Sequence, residues 1–159
     1  MELNLRGKSA AITGASKGIG LAIAEELARE GVNLRLVARN REELQRAADD
    51  LRSRFQITVE TEAIDLSQRE ARDAFAHSCA ATDILINCAG AIPGGALDQV
   101  TEDAWRDAWD LKLFGYIGIT RVVCTTDEFA RLRPMTPRAA RLSLEYAILL
   151  AIGLAVFTP

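Results

Sequence analysis

The stretch Thr13-Gly14-Ala15-Ser16-Lys17-Gly18-Ile19-Gly20 constrains this chain more than any other. A short apolar run, Ala10 to Ile12, precedes it, and an amphipathic helical pattern starts at Ile19. That order predicts a strand, a glycine loop and a helix. Glycines let a backbone turn tightly and approach a ligand closely, while a helix N-terminus offers free N–H groups and a partial positive charge to an anion. The pyrophosphate of a dinucleotide fits such a cradle. The spacing is G-x-x-x-G-x-G rather than the G-x-G-x-x-G of the commonest dinucleotide-binding fingerprint.

The same alternation continues downstream. Ile19, Ala22, Ile23, Leu27 and Ala28 follow helical spacing, and Gly31 closes that helix. A strand over Asn33 to Ala38 follows. Asn40 then reads as an N-cap with Glu43 three residues on, and Leu44, Ala47, Ala48, Leu51 and Phe55 mark one face of the second helix. Ile57 to Ile64 reads as the third strand, Ser67-Gln68-Arg69-Glu70 as a capping box opening the third helix, and Asp83 to Asn87 as the fourth strand. The loop Cys88 to Leu97 carries Gly90, Pro93, Gly94 and Gly95 and is expected to be irregular. Thr101 caps a helix expected over Glu102 to Thr120, whose apolar stripe is Trp105, Ala108, Trp109, Leu113, Tyr116 and Ile117, with Lys112 inside it. Strands alternating with helices imply an α/β fold with a Rossmann-like parallel sheet, right-handed crossovers, and ligand sites at the carboxyl ends of the strands.

A chain of 159 residues is long enough for one domain with a real core. Its net charge of −3, with 19 basic residues dispersed among 22 acids, gives no basic patch, so nucleic acid is not an expected partner. Cys79, Cys88 and Cys124 show no C-x-x-C spacing and read as reduced thiols in a cytoplasmic protein. The single histidine, His77, builds no metal cluster and reads as a helix-surface residue, and Met1 to Lys8 is too polar for a signal peptide. Near the other end, the apolar run Tyr146 to Phe157 is shorter than the about 20 residues a bilayer span needs. It reads as a buried or self-associating helix, not as a membrane anchor.

Three segments together carry a resemblance. They are the Thr13-Gly14-x-x-x-Gly18-x-Gly20 loop, Asp65-Leu66 after the third strand, and Asn87-Cys88-Ala89-Gly90 after the fourth. In this combination the chain resembles the short-chain dehydrogenase/reductase family, with Cys88 standing where the family's turn has a second Asn. The resemblance runs from about Leu5 to about Arg121. It implies a sheet in spatial order 3-2-1-4 and a reaction in which hydride passes between NADP(H) and an alcohol or carbonyl. It also implies a set of cofactor-binding residues: Gly14, Ser16, Lys17, Gly18, Ile19 and Gly20 in the loop, Asp65 and Leu66 beside the adenine, and Asn87, Ala89 and Gly90 beside the nicotinamide ribose. Residues 38 to 40, Ala38-Arg39-Asn40, contain no acid to accept from ribose hydroxyls, and the Arg39 guanidinium suits a 2′-phosphate. The expected cofactor is therefore NADP in preference to NAD. Cys88 reads as a small packing residue with no base beside it, and Lys112 falls where the family's fourth helix has an Asn.

The family's catalytic groups are a Ser, and a Tyr with a Lys four residues after it. Lys8, Lys17 and Lys112 are the only lysines, and none follows a tyrosine by four: Tyr116 is followed at that offset by Thr120 and Tyr146 by Leu150. Ser143 lies too close before Tyr146 to match. No catalytic residue and no metal ligand is assigned. Two parts are expected: residues 1–121 as a partial NAD(P)-binding Rossmann domain, and 122–159 as an atypical apolar helical tail, read as a truncated, out-of-frame or rearranged end. The chain is expected to bind cofactor without turnover, and to self-associate through an open sheet edge and the apolar tail. The alternative is a catalytically silent NADP(H)-binding module or partner of a full-length relative.

Overall fold

The computed structural model describes residues 4–90, 92–96 and 98–125. Four parallel strands, β1 (Ser9–Thr13), β2 (Asn33–Ala38), β3 (Val59–Ala63) and β4 (Ile84–Asn87), lie in the order β3-β2-β1-β4. The helices between them are α1 (Gly18–Arg29), α2 (Arg41–Arg54) and α3 (Arg69–Ser78). After β4 come α4 (Glu102–Trp109), a π-helical turn (Asp110–Gly115) and α5 (Tyr116–Thr125). The register aligns Thr13 with Val37 on one side and Asn87 on the other, so the strand ends that carry the motif residues finish side by side. This is the Rossmann-like sheet expected from the alternating pattern. Among the described residues β4 pairs only with β1 and forms the sheet's edge.

The central strand β1 is apolar on both faces because helices cover both, as parallel sheets require. Ala10 and Ile12 face Leu34, Leu36, Ala24, Ala28, Leu44 and Leu51 on the α1 and α2 side. Ala11 faces Val37, Phe75, Ala76, Ile119 and Val123 on the α3 and α5 side. Full burial of side chains such as Leu36 or Phe75 contributes about 1.5–3 kcal/mol each.

Local chemistry sets most element ends. The Asn40 side chain accepts from the Glu42 and Glu43 amides (3.1 and 3.2 Å) at the start of α2, and the Thr101 hydroxyl accepts from the Ala104 amide (3.3 Å) at the start of α4. Gly31, at φ +80°, ends α1 with Val32 N–H donating to Leu27 and Gly31 N–H to Ala28, the paired bonds of a left-handed helix stop.

Several expectations are corrected. Ser67 does not cap α3: its amide and hydroxyl both donate to Asp65 Oδ1 (3.0 and 2.8 Å), and the N-cap is Gln68 without a side-chain bond. Asp65 captures the residue two positions on, the local bond that aspartate forms most readily. In α1 the buried face is Gly20, Ala24 and Ala28, while Ile19 is 68% exposed and Ala22 is also exposed. Close approach of Gly20 to the preceding turn rotates that glycine inward and Ile19 out.

The helix expected over Glu102 to Thr120 is broken by the π turn. Its extra residue shifts the stripe, so Trp109 (58% exposed) and Ile117 (37%) leave the core, while Ala108, Gly115, Ile119 and Val123 face inward. The cause lies on α3. Buried Arg72 donates from Nη1 to the Asp110 carbonyl and to Asp110 Oδ2 (both 3.4 Å), drawing the first residue of the turn out of α-helical bonding. The expected boundary at Arg121 falls within α5, and Tyr146 to Phe157 lies outside the described residues.

Candidate functional site

The carboxyl ends of the strands open into one cleft of about 730 Å³. The loop after β1 supplies Gly14, Ser16 and Lys17, the end of β2 and start of α2 supply Ala38, Arg39, Asn40 and Glu43, and the corner after β3 supplies Asp65 and Leu66. The turn after β4 supplies Cys88, Ala89 and Gly90, with Leu111 of the π turn behind it. Of the expected site residues, Gly14, Ser16, Lys17, Arg39, Asp65, Leu66, Ala89 and Gly90 line this cleft. Gly18, Ile19, Gly20 and Asn87 do not.

The glycines act by conformation and by closeness. Gly14 has φ +68°, and a Cβ there would stand 2.8 Å from the backbone of Cys88 and Ala89. Gly18, at φ +60°, has open space around it, so only its backbone conformation calls for glycine. A Cβ on Gly20 would stand 2.4 Å from the Gly14 carbonyl oxygen. Gly20 therefore lies behind the cleft and lets α1 close against the loop that forms it. The N-terminus of α1 carries no side-chain cap and no acid in its first turn, which leaves its amides available to an anion.

Thr13 is fully buried, and its hydroxyl joins two of the motifs. It accepts from the Cys88 and Ala89 amides (3.0 and 3.1 Å) and donates to the Ile86 carbonyl (3.5 Å). In the sequence Thr13 stands at the head of the loop with no role of its own assigned. Its position one residue before Gly14, at the end of a central strand, was the available signal. Asn87 turns away from the cleft: Nδ2 donates to Thr120 Oγ1 (3.2 Å), and Oδ1 is buried without a partner among the described residues.

Charges sit at both ends of the cleft. Ser67, chiefly through its amide and then its hydroxyl, holds the Asp65 carboxyl below the usual aspartate pKa, with the Arg39 charge adding to it. Glu43 does not complete the capping arrangement expected with Asn40. Its Oε2 instead accepts from the Ser16 hydroxyl (3.4 Å) and lies 3.9 Å from Lys17 Nζ. At the other end, burial pushes the Cys88 thiol up, against a smaller opposing effect of the Lys112 charge. Burial likewise raises Tyr116 well above an ordinary phenol. The methylenes of Lys112 cover Gly90, where a Cβ would meet Lys112 Cδ at 3.4 Å. Among the described residues no group of His, Cys, Asp and Glu could hold a metal ion, and no helix is long and apolar enough to cross a membrane.

A glycine cradle closed by an uncapped helix, at the switch point of a parallel sheet, is a dinucleotide-site geometry, and the comparisons agree with it. The sequence matches the short chain dehydrogenase family over residues 8–129. It is 30% identical over 122 residues to the uncharacterized oxidoreductase YvaG of Bacillus subtilis, covering 76% of this chain and 46% of that protein. Among solved structures it is similar to L-sorbose reductase from Gluconobacter frateurii complexed with NADPH and L-sorbose, with a TM-score of 0.70 and 36% identity over 76% of this chain and 48% of that one. A short-chain dehydrogenase from Sphingobium yanoikuyae in complex with NADPH is similar at TM-score 0.68 and 32% identity, over 74% of this chain and 47% of that one. The chain spans about half the length of the curated relatives it matches. With the sheet order, the three motif corners and the family match in agreement over the same residues, the chain belongs to the short-chain dehydrogenase family.

Proposed function

We propose that the cleft binds NADP(H), and that the reaction this cofactor serves is the family's hydride transfer between NADP(H) and an alcohol or carbonyl. The observation that carries the cofactor choice is Arg39, which lines the cleft at the end of β2 with no acid at residues 38–40. The N-terminal amides of α1, with Gly14, Gly18, Ile19 and Gly20 shaping the approach, hold the pyrophosphate. Ser16, Lys17 and Arg39 take the 2′-phosphate, Asp65 and Leu66 the adenine, and Ala89 and Gly90 the nicotinamide ribose. Asn87 serves from behind, its Nδ2 tying the β4 turn to Thr120 Oγ1 of α5. NADPH in two of the similar structures supports this choice.

The bound cofactor supplies the hydride. This chain's own residues bind and orient it, since no tyrosine among its 159 residues has a lysine four positions on. That observation favours a second reading for the chain as given, a silent NADP(H)-binding module that binds without turnover. Calorimetric titration with NADPH and NADH tests the cofactor assignment. NADPH is expected to bind more tightly, and Arg39→Ala is expected to weaken NADPH by about 1.5–3 kcal/mol, the range for a hydrogen bond to a charged group, with little change for NADH. Tighter NADH binding, or no effect of Arg39→Ala on NADPH, contradicts the assignment.

A further inference from the structure

We propose that Glu43 is a specificity-determining residue of this cleft, a carboxylate that competes with a 2′-phosphate for Ser16 and Lys17 and so narrows the preference for the phosphorylated cofactor. The proposal rests on the NADP(H) reading above. Glu43 is the third residue of α2, held by the Asn40 cap and anchored by buried Leu44 and Ala47 in the next turn. Its backbone therefore has no freedom to retreat. Its Oε2 takes the Ser16 hydroxyl at 3.4 Å and faces Lys17 Nζ at 3.9 Å, and all three residues line the cleft beside Arg39. The Lys17 side chain is 81% exposed and that of Glu43 is 32% exposed, so the lysine is the partner that can swing away.

The consequence depends on the ligand. A phosphate that recruits Ser16 and Lys17 must break both contacts and is left beside a like charge. Ribose hydroxyls meet no such penalty, because they donate to a carboxylate. Arg39 and Glu43 thus act in opposite directions: the guanidinium favours the 2′-phosphate and the carboxylate opposes it. Neither charge alone sets the ratio of the two cofactors.

The test is titration of the full chain, as wild type, Glu43→Gln and Glu43→Ala, with NADPH, NADH, 2′,5′-ADP and 5′-AMP. Both variants are expected to bind NADPH and 2′,5′-ADP about five-fold more tightly, the order for removing one unit charge from near a phosphate in a half-exposed cleft. NADH and 5′-AMP should bind equally well or more weakly. Thermal melting of each variant shows that the fold is retained. Equal changes for phosphorylated and unphosphorylated ligands, or weaker NADPH binding in both variants, overturn the role of Glu43 while leaving the cofactor reading intact. A wild-type chain that binds neither NADPH nor NADH overturns both.

Discussion

Gly14→Ala is expected to lower stability by about 2–5 kcal/mol and to abolish dinucleotide binding. Two costs combine. The left-handed φ of +68° costs an L-residue about 1–2 kcal/mol. The new methyl would stand 2.8 Å from the amide of Ala89 and the carbonyl of Cys88, backbone atoms that cannot rotate aside, and such overpacking costs about 1–3 kcal/mol. The sum is a large share of the about 5–15 kcal/mol that holds a typical domain folded. Relief requires the β1 loop and the β4 turn to move apart, which opens the cleft that both help to line. A thermal melt followed by circular dichroism should drop by about 10 °C. Gly94→Ala is the internal control, because a Cβ there meets nothing within 4 Å. Equal melting of the two variants would contradict the close approach of Gly14 to the turn.

Thr13→Val should cost about 2–6 kcal/mol, although valine has nearly the same shape. Valine removes the oxygen that accepts from the Cys88 and Ala89 amides. Thr13 is fully buried, so no water enters to replace it, and each donor left unsatisfied costs about 1–3 kcal/mol. Urea denaturation measures the loss, and faster amide exchange at Cys88 and Ala89 locates it. Thr13→Ser keeps the hydroxyl and should recover most of the stability. If serine and valine destabilise equally, packing of the methyl group, not the hydroxyl clamp, is what matters at this position.

The parts of the fold that were legible in the sequence are those set by local chemistry. The strand predicted over Asn33 to Ala38 has the bounds of β2, because the apolar residues Leu34, Leu36, Val37 and Ala38 sit between Gly31 and the Asn40 cap. The sheet order followed from the resemblance and from the glycine loop that starts the first crossover. What was not legible depends on partners distant in sequence. The π turn arises from Arg72 on α3 reaching Asp110, and a helical stripe counted at regular spacing contains no trace of that contact.

The cleft shows the same division. Gly14, Arg39 and Asp65 announce themselves by residue type at strand ends, and all three line it. The spacing of Glu43 from Asn40 suggests a capping residue, whereas its carboxylate is drawn across the cleft to Ser16 and Lys17. The motif around Asn87 points to the cleft, yet the structure points its amide at Thr120 on α5.

The most direct test of dinucleotide binding at these strand ends is a titration of the isotope-labelled chain with NADPH, followed by amide resonances. Shifts should concentrate at Gly14 to Gly20, Arg39, Asp65, Leu66 and Cys88 to Gly90. Lys8, Gly31 and Asp83, at the opposite ends of the strands, should stay in place. Saturating NADPH that leaves the glycine-loop amides unmoved, or that moves the Lys8 and Asp83 end instead, would contradict it.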